Sequence, residues 1–119
     1  MKFLFVYENK LFMSFLKKLI DNNKDEFIEL SDASNIYLIY RNHRPDWVLI
    51  DLQLKNNNGF KVAEILKSEF PEAKIALLSD FGDERLKVKS DEIGAVFIPK
   101  EQIINFYEII KSDQKIVME

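Results

Sequence analysis

The sequence predicts an α/β fold, a five-stranded parallel sheet doubly wound with helices on both faces, and three observations predict it. Short apolar runs of strand character recur along the chain, each followed by a stretch with helical spacing. One of these runs, Trp47-Val48-Leu49-Ile50 before Asp51, is uninterrupted, as in a central parallel strand covered on both faces. With only three Gly and three Pro, the chain is poor in turns, which argues against a sandwich. Right-handed crossovers then distribute the helices over the two faces.

The elements follow in order. Lys2 to Val6 reads as a buried strand, and Leu11, Phe12, Phe15, Leu16, Leu19 and Ile20 recur at helical spacing until Asp21-Asn22-Asn23 ends the helix. Phe27 to Leu30 is the second strand. Ser31 or Asp32 can cap the helix that carries Ala33, Ile36, Tyr37 and Tyr40, and Pro45 breaks it before the third strand, Trp47 to Asp51. A polar loop, Gln53 to Asn58, leads through Gly59 into a helix with Val62, Ile65, Leu66 and Phe70, stopped by Pro71. Lys74 to Leu78 is strand four. Asp83 to Ile93 is a short, marginal helix anchored by Leu86, Val88 and Ile93. Ala95 to Ile98 is strand five, and Glu101 to Lys111 the last helix.

Composition bounds the function. At 119 residues, a single domain over 1–119 is expected, with no attached effector. Without cysteine there is no disulfide frame, thiolate metal site or thiol nucleophile, which fits a cytoplasmic location. The apolar start, Phe3 to Val6, is too short for a signal peptide or a membrane span. A net charge of −3 with no dense basic cluster disfavours direct nucleic-acid binding.

In an open parallel sheet the loops after the strands converge, so Tyr7, Glu8, Asp51, Ser79, Asp80 and Lys100 line the default site. Carboxylates, a hydroxyl and an ammonium in one crevice can bind a hard cation and a phosphoryl group together. Mg²⁺ needs only one or two carboxylates and a carbonyl. Asp51 can then attack phosphorus while Lys100 and Ser79 stabilise the transferred group.

Three stretches carry a family resemblance: Asp51-Leu52-Gln53-Leu54 with Gly59 beyond it, Ala76-Leu77-Leu78-Ser79, and Gly94-Ala95 followed by Phe97-Ile98-Pro99-Lys100. In order and spacing the chain resembles the receiver domain of two-component response regulators, over essentially its whole length. Val6 to Leu19 is also similar to the opening of receivers that precede helix-turn-helix output domains. The resemblance implies a flavodoxin-like strand order, 2-1-3-4-5. It implies Asp51 as phosphoacceptor, Glu8 and the backbone carbonyl of Gln53 as further Mg²⁺ ligands, Ser79 and Lys100 as partners of the phosphoryl group, and Phe97 as an aromatic that changes rotamer. Phosphorylation adds a charge of about −1.5 to −2, which can bias a bistable loop, with the marginal fourth helix as the element to be biased.

The implied partners are a histidine kinase or phosphotransfer protein, or a small acyl phosphate, and downstream a protein or a second copy of the chain. These would meet a face made by the last two helices and strand five, with no direct nucleic-acid or membrane contact. A receiver of this length ends where an output domain is ordinarily linked, so the expectation is a stand-alone receiver or one separated from its output.

Three departures from the family pattern bear on this. Tyr7 stands where an acid is usual, leaving Glu8 alone, and metal affinity should fall. Asp80 stands where a small residue is usual; two like charges about 4 Å apart at an effective dielectric near 20 repel by roughly 4 kcal/mol, so an inward Asp80 opposes phosphorylation. Asp80 is expected either to compensate at the metal or to pair with Lys100 and hold an unphosphorylated state. Gly94 to Lys100 is also one residue shorter than usual.

Plainer roles stand beside these. Glu8 can be a helix N-terminal charge, Tyr7 a packing residue whose phenol partners Lys100 or water, and His43 an exposed helix end. Trp47, roughly 13 Å from Asp51 by strand rise, is core or rim. Core packing accounts for about half of the apolar positions from Ile103 to Ile110, the rest marking a partner or dimer surface. Two other functions compete: a pseudo-receiver acting as a constitutive interaction domain, supported by Tyr7 and Asp80, and a flavodoxin-like enzyme or nucleotide binder. The latter lacks a Gly-rich phosphate loop, since Glu8-Asn9-Lys10 stands after strand one.

Overall fold

A computed structural model of the chain describes residues 1–20, 24–54 and 58–118. The strands are β1 (Lys2–Val6), β2 (Glu26–Leu30), β3 (Trp47–Asp51), β4 (Ile75–Ser79) and β5 (Val96–Pro99). They form one parallel sheet in the order β2-β1-β3-β4-β5, as the resemblance implies. The helices are α1 (Lys10–Ile20), α2 (Ile36–His43), α3 (Gly59–Glu69), α4 (Glu84–Ile93) and α5 (Ile103–Met118), with 3₁₀ turns at Ala33–Asn35 and Lys100–Gln102. The expected helix stop, Asp21 to Asn23, and residues 55–57 of the polar loop lie outside the described residues.

Alternation along the central strands builds two cores. Leu4, Val6, Val48, Ile50, Ile75 and Leu77 face Ile36 and Tyr40 of α2 and Val62, Ala63 and Leu66 of α3. Phe3, Phe5, Leu49, Ala76 and Leu78 face the other way, onto Met13 and Leu16 of α1 and Ile103, Phe106 and Ile110 of α5. Successive side chains of a strand point to opposite faces, so a strand apolar at every position needs helices on both. On α5 the buried positions recur at helical spacing, while Ile104 and Ile109 are exposed.

Caps set the helix starts. Asn9 Oδ1 accepts from the backbone N–H of Leu11 and Phe12, Asn58 Oδ1 from Phe60 and Lys61, and Asp83 Oδ1 from Arg85. Asp32, one of two residues read as a cap, accepts from Ser34 N–H at the 3₁₀ turn before α2. The fourth helix departs from its expected anchoring. Val88 is exposed and the buried position is Ser90, because Leu86, Ser90 and Ile93 form the stripe facing the sheet and Val88 falls off it. The Ser90 hydroxyl is satisfied by donating to the Leu86 carbonyl at 2.8 Å.

Trp47 packs edge-on against Phe106 at 5.1 Å, at the end of β3 away from Asp51. Among the described residues no helix is long and apolar enough to cross a membrane.

Candidate functional site

The site lies at the carboxyl ends of β3, β4 and β5. Asp51 closes β3 and is only 2 % exposed. Its Oδ1 accepts the Gln53 N–H at 2.9 Å, which turns the chain directly after the strand. Gly59, the first residue of α3, permits that turn to be tight. A Cβ there would stand 3.0 Å from Leu52 Cδ2, 3.1 Å from Leu52 Cα and 3.2 Å from the Asp51 carbonyl oxygen.

Lys100 follows β5 and extends its ammonium over β4. Nζ lies 2.9 Å from Oδ2 of Asp51 and 2.9 Å from Oδ1 of Asp80, and donates to Oε1 of Gln53 at 3.2 Å. An ammonium has three donors, and all three have acceptors here. The ring of Phe12, on the first turn of α1, lies 5.0 Å from the same nitrogen, a cation–π distance. Burial works against the charge on Lys100, but the Asp80 and Asp51 carboxylates outweigh it and hold its pKa above the ordinary lysine value. The Lys100 hydrogen bond, with a smaller contribution from Gln53, holds Asp80 below the usual carboxylate range.

The other predicted residues are placed as follows. Ser79 is buried at the end of β4 and its Oγ accepts the Phe81 N–H at 3.1 Å, leaving its own proton available. Phe97 is half-buried on β5 and, with Gly82, Asp83, Lys87 and Pro99, lines a cleft of about 250 Å³ beside the start of α4. Glu8 is half-buried, and its Oε2 is enclosed with no hydrogen-bond partner among the described residues. Asp80 Oδ1 lies 2.9 Å from Lys100 Nζ, the contact that the second of its two expected roles requires.

Tyr7 is not part of this group, and its expected partner is corrected. Its phenol donates to Oε2 of Glu29 at 3.4 Å rather than to Lys100, and its ring packs on Phe5 at 5.6 Å. Burial first, and then the Glu29 charge, raise its pKa. The β1–β2 register explains the choice: Phe5 pairs with Glu29, so Tyr7, two residues on and on the same face, reaches that carboxylate diagonally. The plainer reading of His43 agrees with its place as the last, exposed residue of α2.

Two contacts were not read from the sequence: Gln53 contributes its side-chain amide as well as its backbone, and Phe12 covers the lysine. No local signal marks either. The donor set of Glu8, Asp51 and the Gln53 carbonyl fits Mg²⁺, which takes hard oxygen ligands and keeps several waters. The enclosed, unpartnered oxygen of Glu8 is the observation that favours a cation there, since a buried carboxylate oxygen is costly to leave unpaired.

Comparison with known proteins gives a consistent result. The family model described as the response regulator receiver domain matches residues 3–110. The polar-differentiation response regulator DivK of Brucella anthropi is 28% identical over 112 residues, covering 90% of each chain. The photosynthetic apparatus regulatory protein RegA of Rhodobacter capsulatus is 37% identical over 57 residues, 48% of this chain and 31% of RegA, so the match spans about a third of that relative. Among solved structures, a LuxR-family two-component response regulator from Aurantimonas superposes with a TM-score of 0.79 at 21% identity, over 98% of this chain and 84% of that one. The receiver domain of the Francisella response regulator 1452 superposes with a TM-score of 0.80 at 16% identity, over 95% and 98%. These structural likenesses establish the fold.

Proposed function

This chain belongs to the response regulator receiver domain family, and on that premise we propose that it is a phosphoryl-switched signalling module with Asp51 as its phosphoacceptor. The carrying observation is the buried Asp51 carboxylate paired at 2.9 Å with the Lys100 ammonium where three strand ends converge. An Asp51 oxygen attacks phosphorus of a phosphohistidine or acyl phosphate. The new O–P bond forms as the bond from phosphorus to the donor's nitrogen or oxygen breaks, and the donor atom keeps the electron pair. Lys100 offsets charge on the phosphoryl oxygens, and the Ser79 hydroxyl supplies a donor. Mg²⁺, held by Glu8, Asp51 and the Gln53 carbonyl, would supply further positive charge.

The same reading extends to partners and output. The donor is a histidine kinase or phosphotransfer protein, in the cytoplasm, and residues 1–119 act as one receiver domain. Phe97, beside the cleft at the start of α4, carries the change outward to a face formed by α4, β5 and α5. There a downstream protein or a second copy binds, without direct nucleic-acid or membrane contact. The exposed Val88, Val96, Ile104 and Ile109 lie on those three elements. Any catalysis is limited to self-phosphorylation and dephosphorylation.

A second reading, a pseudo-receiver that binds partners without phosphorylation, is favoured by the Asp80–Lys100 ion pair. Intact mass after incubation with Mg²⁺ and acetyl phosphate separates the two. One phosphoryl adduct, absent in Asp51→Asn, supports the switch. No adduct, together with no spectral response to beryllofluoride, leaves the pseudo-receiver.

A further inference from the structure

Lys100 has no uncommitted proton: its three donors meet Asp51, Asp80 and Gln53. A phosphoryl oxygen on Asp51 takes over one of these donors, that of Asp51's own oxygen included, so the donor count alone does not decide which acceptor yields, and charge does. Gln53 is neutral and exposed and can turn away without a charge penalty. Asp80 differs. Both carboxylate oxygens lie 2.9 Å from one nitrogen, so Asp80 Oδ1 and Asp51 Oδ2 stand no more than twice that distance apart. A phosphoryl group of charge about −1.5 to −2 on Asp51 is then placed against the Asp80 carboxylate. At 46% exposure, Asp80 has solvent to turn into, whereas Asp51, at 2%, does not.

We propose that Asp80 is a positioning residue that competes with the Asp51 phosphoryl group for the Lys100 ammonium, so that phosphorylation proceeds only as Asp80 is displaced toward solvent. The proposal rests on Asp51 being the phosphoacceptor. It makes the dephosphorylated state the held one and slows phosphorylation by an electrostatic toll set by one side chain.

Two measurements on the whole chain test it. The first is the initial rate of phosphoryl adduct formation with acetyl phosphate and Mg²⁺, read by intact mass. Asp80→Ala and Asp80→Asn should each be about 10-fold faster than wild type, equivalent to about 1.4 kcal/mol in the barrier, a value kept modest because Asp80 is half exposed and screened. Asp80→Glu, which keeps the charge, should stay near the wild-type rate. The second measurement needs no phosphodonor: the rate at which an acylating reagent modifies Lys100, followed by peptide mass with Mg²⁺ absent. It should rise several-fold in Asp80→Ala and Asp80→Asn, while their melting temperatures stay close to wild type. Adduct formation at equal rates in wild type, Asp80→Ala and Asp80→Asn overturns the competition and leaves the phosphoacceptor reading intact. Unchanged Lys100 labelling also overturns the competition. The absence of any adduct in all four proteins overturns the phosphoacceptor reading and this proposal with it.

Discussion

Lys100 reaches Asp51 at 2.9 Å although their strands are not neighbours: β4 lies between β3 and β5, and the lysine side chain crosses its end. Such a pair ties the far side of the sheet to its centre. Asp51 is only 2 % exposed, and among the described residues its ion pair is with Lys100, so removing the ammonium leaves a buried carboxylate without its charged partner.

Lys100→Met keeps most of the stem and deletes the charge. It should lower the urea unfolding free energy by about 3 kcal/mol in a chelated buffer, the scale found when one partner of a buried pair is removed. A loss below about 1 kcal/mol would mean that Asp51 is solvated well enough not to need its partner.

Gly59 governs the approach of α3 to the strand end that bears Asp51. In Gly59→Ala the new methyl meets backbone atoms, Leu52 Cα at 3.1 Å and the Asp51 carbonyl oxygen at 3.2 Å, which cannot rotate away as a side chain can. Overpacking of this kind costs roughly 1–3 kcal/mol, and the better helix propensity of Ala returns up to about 1 kcal/mol. A net destabilisation of about 1 kcal/mol is expected by urea titration. Equal or greater stability than wild type would show that the loop yields freely.

The legible parts of the fold were those decided by short-range pattern. Trp47 to Asp51 and Ile75 to Leu78 are apolar at nearly every position, and that pattern has few solutions besides a central parallel strand. Asp51, Ser79 and Lys100 could be assigned to one crevice because parallel strands put their carboxyl ends on the same edge. What failed depended on phase or register. Val88 reads as an anchor because it is apolar, but a weakly amphipathic helix gives little warning of its phase, and a hydroxyl satisfied within the helix fills the buried place. The turn of Tyr7 toward Glu29 follows from β1–β2 pairing, which no local stretch reveals. Phe12 over Lys100 depends on how α1 lies across the sheet, a tertiary fact.

Tyr7→Phe tests whether that residue belongs to the site. The hydrogen bond from its phenol is long, 3.4 Å, and leads to Glu29 on β2. Removing the hydroxyl should cost no more than about 1 kcal/mol of stability, and the acetyl phosphate labelling rate should stay within about two-fold of wild type, roughly 0.4 kcal/mol. A large kinetic effect with unchanged stability would bring the phenol back into the chemistry.

Far from that crevice, Asp25 anchors the opposite end of the sheet. Its fully enclosed carboxylate receives the Lys111 ammonium at 2.7 Å and the α-ammonium of Met1 at 3.2 Å, and also the Tyr107 hydroxyl, tying α5 to the start of β2. Burial alone would raise its pKa, but the hydrogen bonds from Lys111, Tyr107 and the terminal ammonium outweigh burial and hold it below the ordinary aspartate value. Since the folded value lies below the unfolded one, this contribution is present in full above the unfolded value and is lost as pH falls through the folded value. Asp25→Asn should therefore lower stability by about 3 kcal/mol at neutral pH, and the gap from wild type should narrow steadily on acidification below the ordinary aspartate range. Urea titrations of both proteins along a pH series measure it, with Lys111→Met as a second variant that removes the partner instead. A gap that stays constant from neutral to acid pH would place the acid sensitivity of the fold in other carboxylates.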